Sequence, residues 1–368
     1  MAVRITRIKF EHHREALGIH EPEPRPSWRF AGTVCGWQQH SYDIEVCRET
    51  TLAFVKNVFT VESGESQYVE WPDRPLEARE RAIVRVRAHG GHEQPSTPWS
   101  QAHSVETGLL SAEDSKDSVP ISSTLACDFT GPKRPIYFRK EFATPASIII
   151  ASARLYITAL GMYEPRINGR SISDHVLAPG WQSYNSRHVY NTFDVTDVVR
   201  SGHNAIGVVV GEGWFSGHLG YMGGQRNVYG ETLGILARLV VSLADGSLVE
   251  VPTNETWLSN TGPIILSEIY RGEAYDSRLE SAIAGWSSPG FDASGWSATS
   301  RCNPLKGLLV ASDGPPVRRI DERKPVRLFT SPSGKQLVDF GQNLVGWVRI
   351  CVSGPEGSQV TLRYAEDW

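Results

Sequence analysis

Gly234-Ile-Leu-Ala-Arg-Leu-Val-Val-Ser-Leu243 runs into Ala244-Asp-Gly-Ser247 and then into a second apolar run. A short aliphatic run closed by Asp-Gly reads as a strand and a hairpin turn, because glycine reaches the positive φ that such turns need. The same grammar recurs outward from this point. Ser41-Tyr-Asp-Ile-Glu-Val-Cys47, Ala82-Ile-Val-Arg-Val-Arg-Ala88, Ala205-Ile-Gly-Val-Val-Val210 and Pro263-Ile-Ile-Leu-Ser-Glu-Ile-Tyr270 are further strands, as are Val345-Gly-Trp-Val-Arg-Ile-Cys-Val352 and Gln359-Val-Thr-Leu-Arg-Tyr364. Several alternate with period two, which buries one face and wets the other. Asn168-Gly169, behind Tyr163-Glu-Pro-Arg-Ile167, predicts a type I′ hairpin. Long helical periodicity is nearly absent. The one predicted helix is Asp194-Val-Thr-Asp-Val-Val-Arg200, capped by Asp194 or Thr196 and stopped at Ser201-Gly202. The expected fold is all-β, built from consecutive β-sandwiches.

The chain has 368 residues, which at roughly 150 residues per domain means two to three domains. Its 34 glycines, 22 prolines and 11 tryptophans suit a turn-rich, aromatic-rich β protein. Lys and Arg number 37 against 41 Asp and Glu, a net charge of −4, which argues against a nucleic-acid or anionic-membrane surface. No apolar run approaches the ~18 residues of a membrane span. The start, Met1 to Phe10, lacks the roughly 7–15 apolar residues of a secretory leader, so a cytoplasmic chain is expected. Five cysteines without C-x-x-C read as free thiols. Polar breaks at Ser111–Ser118 and Ala311–Pro316 divide the chain into 1–110, 111–312 and 313–368.

The strand at Ala205 enters Gly211-Glu-Gly-Trp-Phe-Ser-Gly217, which superficially resembles a dinucleotide fingerprint. That chemistry needs a helix N-terminus for the pyrophosphate, and His218-Leu-Gly-Tyr-Met-Gly-Gly224 is too glycine-rich to supply one. Two readings remain. Trp214, Phe215 and Tyr221 either present flat faces to a sugar ring or plug the end of a sandwich. No H-E-x-x-H and no G-x-S-x-G occurs, so zinc and serine hydrolysis are unsupported. The densest acidic stretch, Glu268 to Glu280, interleaves Glu273, Asp276 and Glu280 with Arg271 and Arg278. Such arginines depress carboxylate pKa values, the wrong direction for a general acid. A structural clasp with Tyr275, or contacts to sugar hydroxyls, is expected there. Asn254-Glu-Thr256 is a sequon, expected bare in a chain without a leader.

Ala153-Arg-Leu-Tyr-Ile-Thr-Ala-Leu-Gly-Met-Tyr-Glu-Pro-Arg-Ile-Asn-Gly-Arg170, His175-Val-Leu-Ala-Pro-Gly-Trp181, Gly211-Glu-Gly-Trp214 and Gly272-Glu-Ala-Tyr-Asp-Ser-Arg-Leu-Glu280 resemble, in this order, the N-terminal sugar-binding-like domain of the α-L-rhamnosidases of glycoside hydrolase family 78. Pro24-Arg-Pro-Ser-Trp-Arg-Phe30 is similar to that family's leading fibronectin-III-like domain. Val338-Asp-Phe-Gly-Gln-Asn-Leu-Val-Gly-Trp-Val348 is similar to the opening of its next, concanavalin-like sandwich, of which the chain holds only the start. The resemblance implies a jelly-roll-like carbohydrate-binding domain over 111–312. It also implies a parent reaction, inverting hydrolysis of terminal α-L-rhamnosyl residues, whose Asp and Glu catalysts lie in a following (α/α)₆ barrel. No catalytic residue is therefore carried onto these positions, and the chain is expected to be inactive alone, with a rhamnose-containing glycoside as its partner. The alternative is a free-standing lectin-like module, with Trp181, Tyr184, Asn185 and Trp214 as platform and Glu273, Asp276 and Arg278 as polar contacts. Some relatives bind rhamnose through calcium. The family's Thr-Asp-Tyr is Gln182-Ser-Tyr184 here, and losing that Asp weakens the calcium reading: no cofactor is expected, with calcium the less supported alternative.

Overall fold

The structure is a computed structural model that describes residues 3–49, 54–91, 94–220 and 224–365. Tyr221 lies outside the described residues. The chain is nearly all β. Among the described residues no helix is long and apolar enough to cross a membrane.

The first sandwich holds β1 (Arg4–Phe10), β2 (Leu17–Ile19), β3 (Pro26–Ala31), β4 (Gln39–Glu49), β5 (Phe54–Val61), β6 (Arg81–Gly90) and β7 (His103–Thr107). β1 pairs with β3, and the second sheet runs β2-β7-β6-β4-β5. Alternation in β6 is strict: Ala82, Val84, Val86 and Ala88 are buried against Trp28, Ile44 and Val46. The opposite face of the sheet is covered by charge. Asp43 and Glu45 on β4 are buried beneath Arg87 and Arg85, whose guanidinium groups both lie 4.9 Å from the centre of the Trp99 ring. Cross-strand pairs of this kind hold a sheet together where no second apolar layer exists.

The second sandwich comprises β8 (Ile121–Ser123), β9 (Ile136–Thr144), β10 (Ile150–Leu160), β11 (Met162–Ile167), β12 (Arg170–Ser171), β13 (Arg187–Asp194), β14 (Gly202–Gly211), β15 (Gly234–Leu243), β16 (Leu248–Pro252), β17 (Leu258–Thr261), β18 (Ile264–Glu268), β19 (Gly272–Tyr275), β20 (Ser297–Arg301) and β21 (Leu308–Ala311). Twelve of these form one continuous ladder that folds over itself, β12-β11-β14-β9-β17-β20-β8-β15-β10-β13-β21, with β16 on β15. Leu155, Ile157, Ile206, Val208, Ile235 and Leu239 meet between the layers with 0% exposure, which puts the sandwich core between β10, β14 and β15. Asn168 and Gly169 both adopt positive φ, 52° and 80°, and close the β11–β12 hairpin as type I′ geometry requires. Gly246, at φ 85°, does the same between β15 and β16.

The helix expected over Asp194–Arg200 does not form. β13 continues to Asp194, and the segment beyond closes a single turn, Val198 and Val199 both donating to Val195 O. Val195 and Val199 are buried in the core, and Asp194 Oδ1 accepts from the Thr196 backbone and hydroxyl. The cap is thus spent on a local turn.

The first two sandwiches fall in one compact unit with the chain as far as Pro316. Asp174–Val176 and the chain from Val317 onward form a second. In the second unit β22 (Arg327–Thr330) pairs with β23 (Gln336–Asp339), and Val176 N–H donates to Val317 O at 2.9 Å. The strands expected at 345–352 and 359–364 are not formed. Val345 and Val352 stand exposed there, and among the described residues no neighbouring strand takes their backbone groups. Alternation marks a surface fit for a sheet, but a strand exists only where a ladder partner does.

Candidate functional site

β14 ends at Gly211 and the chain turns at once into α1 (Gly213–Ser216). Gly213 has φ 52°, and a Cβ there would stand 2.5 Å from Met162 Cγ. Only glycine fits this corner. The next residue, Trp214, is half-exposed, while Phe215 is buried. From the other side comes Trp181, 58% exposed, on the loop that follows Gly180 (φ 95°). The two indoles lie 6.0 Å apart, centre to centre, at an interplanar angle of 4°. Trp181 Nε1 donates to Tyr229 Oη at 3.3 Å. The result is a parallel, stacked indole pair, partly open to solvent and built from loops that are distant in sequence.

Tyr184, expected on that surface, lies beneath it. It is 2% exposed and packs on Phe215 (5.2 Å) and Tyr229 (4.9 Å), and its hydroxyl donates to Gly180 O at 3.1 Å. Burial pushes its phenol well above the ordinary tyrosine value. Tyr184 therefore supports the two loops and offers no face to a ligand. His188, buried against the same ring, is held below the usual imidazole range by its loss of solvent, so it sits there neutral. Asn185 is exposed.

Under the loop that carries Trp214 lies a buried ionic cluster that sequence reading missed. The Glu212 side chain is fully buried, accepts from Arg226 Nη2 and stands 3.6 Å from Lys133 Nζ. Arg226 Nη1 donates to Glu268, which also accepts from the His218 backbone at 3.2 Å. Lys133 Nζ in turn donates to Asn227 Oδ1 at 2.5 Å. Two acids and two bases nearly cancel, the condition under which charge survives burial. Glu212 Oε2 and Ser216 Oγ are buried there without a hydrogen-bond partner among the described residues. The sequence signal was the lone acid in Gly211-Glu-Gly213, set just past the apolar run Ala205–Val210.

Glu273, Asp276 and Arg278 lie elsewhere, on β19 and the turn behind it. Asp276 and Arg278 form a two-pronged pair, Nε on Oδ1 at 2.8 Å and Nη2 on Oδ2 at 2.7 Å, which lowers the Asp276 carboxyl to about 2. Tyr275 donates to Glu280 at 2.6 Å. This is the clasp the sequence suggested. Glu273 departs from that expectation: loss of solvent, and then the like charge of Glu164, raise its pKa. The arginine expected beside it, Arg271, faces Glu268 instead, at 3.4 Å. Among the described residues no hydrogen bond joins Glu273 or Asp276 to the two indoles.

Calcium needs six to eight oxygen donors. Gln182 Nε2 donates to Pro179 O at 3.2 Å, Tyr184 is buried, and the described residues hold no group of three or more His, Cys, Asp or Glu placed for a metal.

Comparison with known proteins covers most of the chain. Residues 149–321 match the family described as "Alpha-L-rhamnosidase N-terminal domain". Residues 5–111 match "Rha78A-like, N-terminal immunoglobulin domain", and 329–367 match "Bacterial alpha-L-rhamnosidase concanavalin-like domain". A crystal structure of an α-L-rhamnosidase from Aspergillus terreus is similar at 54% identity and a TM-score of 0.90, over 94% of this chain and 39% of that one. An α-L-rhamnosidase of Streptomyces avermitilis is 43% identical over 230 residues, 62% of this chain and 22% of its own length. One of Formosa agariphila is 31% identical over 376 residues, which is 97% of this chain and 39% of the relative.

Proposed function

This chain belongs to the α-L-rhamnosidase family, whose N-terminal portion it matches, and from that premise we propose that it is the sugar-binding, non-hydrolytic portion of an enzyme that cleaves terminal α-L-rhamnosyl residues with inversion. The observation that carries the reading is the parallel Trp181–Trp214 pair. An exposed indole held rigid by a parallel neighbour offers a face that fits the apolar side of a sugar ring and costs little side-chain entropy on binding. Asn185, exposed next to Tyr184 in sequence, is assigned as an amide donor and acceptor for sugar hydroxyls. Glu273, Asp276 and Arg278 are assigned to hydroxyls of a longer glycan.

Hydrolysis with inversion needs two carboxyl groups about 6.5–9.5 Å apart, one of them protonated at working pH. Asp276, held at about 2 by Arg278, is the opposite of a proton donor. Glu273 shifts in the needed direction, but its near neighbour is the like charge of Glu164. We assign neither a catalytic role.

Two measurements on the purified chain test the reading. Calorimetric titration with L-rhamnose should give weak binding, unchanged by a calcium chelator and lost in Trp181→Ala and in Trp214→Ala. No heat at millimolar sugar, or the same affinity in Trp214→Ala, overturns the binding site. Release of p-nitrophenol from its α-L-rhamnoside, abolished by Glu273→Gln, overturns the non-hydrolytic role.

A further inference from the structure

Asn254-Glu-Thr256 occupies the connection between β16 and β17, where the chain leaves the β15 edge for the β9 side of the ladder. The turn is pinned from beneath. Trp257 is 0% exposed, its indole N–H donates to Pro252 O at 3.0 Å and its backbone N–H to Asn254 O at 3.2 Å. Above that plug Asn254 is half-buried, and Glu255 and Thr256 are exposed.

The hydrogen bonds of this turn fall on one atom of the Asn254 carboxamide. Oδ1 accepts the Thr256 backbone N–H at 3.0 Å and also the Thr256 hydroxyl, while Lys140 Nζ donates to Thr256 Oγ1 at 2.8 Å. Among the described residues Nδ2 has no hydrogen-bond partner. The nitrogen is thus free on a solvated turn, and the hydroxyl two residues on is already aligned with its carboxamide.

We propose that Asn254 is an acceptor for an N-linked glycan. In the transfer, Nδ2 attacks C1 of a lipid-diphosphate oligosaccharide. The new N–C1 bond replaces the bond from C1 to the diphosphate, the lipid diphosphate departs with the electron pair, and one amide proton passes to solvent. The folded turn keeps the modified nitrogen clear, because Oδ1 rather than Nδ2 anchors the side chain and the neighbouring Glu255–Arg301 pair is a solvated rim. This assignment is independent of the sugar-binding reading and departs from the bare sequon expected from the sequence.

The test is the full chain, secreted from yeast behind a leader peptide, with the Asn254 peptide weighed before and after enzymatic deglycosylation in heavy-oxygen water. Most chains should carry one glycan there, and its release should leave heavy oxygen at that position. Asn254→Gln and Thr256→Ala should be secreted without the glycan, and Thr256→Ser should keep it at lower occupancy. Should a variant fail to leave the cell, the wild-type peptide decides alone. A folded, secreted chain with Asn254 unmodified overturns the proposal, as does a glycan that persists in Thr256→Ala.

Discussion

Arg154 and Glu106 meet as a two-pronged ion pair, Nε on Oε1 at 2.7 Å and Nη2 on Oε2 at 2.9 Å. Arg154 belongs to β10 of the second sandwich and Glu106 to β7 of the first, with side-chain exposures of 12% and 7%. Close by, the Tyr190 hydroxyl accepts the Leu109 backbone N–H at 2.6 Å. Polar groups therefore fasten the two sandwiches together at their junction. Removing one partner of a buried pair strands the other charge and costs about 3–5 kcal/mol. Arg154→Met, which leaves Glu106 alone, should show that full loss. Glu106→Gln should cost less, about 1–3 kcal/mol, because Asp194 stays 2.8 Å from Arg154. Urea denaturation reads both. The expected sign is a lower midpoint in each variant and a single transition that splits in Arg154→Met. An unchanged midpoint in Arg154→Met would refute the coupling.

Tyr184 separates support from contact at the aromatic surface. Tyr184→Phe loses only the bond to Gly180 O and should cost about 1 kcal/mol, with the Trp181–Trp214 geometry retained. Tyr184→Ala empties a fully packed site between Phe215 and Tyr229 and should cost about 3–5 kcal/mol. Thermal melts give the stabilities, and near-ultraviolet circular dichroism reports the coupled indoles. If Tyr184 touched the sugar directly, Tyr184→Phe would lose affinity at unchanged stability.

Acid stability should be governed by the covered face of the first sandwich. Burial alone would raise the Asp43 carboxyl, but hydrogen bonds from Arg87, Thr60 and His89 more than reverse that, and its pKa is lowered. Glu45, under Arg85 and Lys56, and Glu80, under Arg48 and Arg74, shift the same way. For a carboxyl lowered in the folded state, the stabilisation is complete above its unfolded value. It is lost as pH falls through the lowered one. Unfolding free energy should thus hold near neutrality and fall below about pH 4. Asp43→Asn should lower the neutral plateau and flatten the acid limb. Glu273 runs the other way: its pKa is raised, so its contribution is present at low pH and lost as pH rises through that value. Carbon-detected titration of the Asp276 carboxyl should find its midpoint at about 2.

Much of this arrangement was legible in the sequence, because β alternation and turn glycines are local. Val84 and Val86, the Asn168-Gly169 hairpin and the Gly211–Trp214 corner each announce themselves within a few residues. The buried cluster could not be read that way. Glu212, Arg226, Glu268 and Lys133 come from four segments, and nothing near any one of them names its partner. Tyr184 failed for a related reason, since an aromatic in a loop reads alike whether it faces water or the core. The Asp194–Arg200 helix was lost to a competing turn, in which two valines face the core and the cap residue bonds its own neighbour.

The same distinction between pattern and pairing gives a contrast in hydrogen exchange. Ala205–Val210 of β14 lies between β11 and β9, its register continuous with both, and its valines at 208 and 210 are 0% exposed. Those amides should open only on global unfolding, at about 5–15 kcal/mol for an ordinary domain. Residues 345–352 and 359–364 also carry strand-forming side chains, yet among the described residues no ladder bond holds them. Their amides should exchange within seconds under conditions that protect β14 for hours. β22 and β23, a two-stranded pair with no third strand, should fall between the two because isolated hairpins are marginal in water. Mass-spectrometric exchange at two protein concentrations makes the comparison. Slow exchange over 345–364 at both concentrations would mean that these segments pair within the chain in solution. Protection that appears only at the higher concentration would mean that a second copy supplies the partner strand.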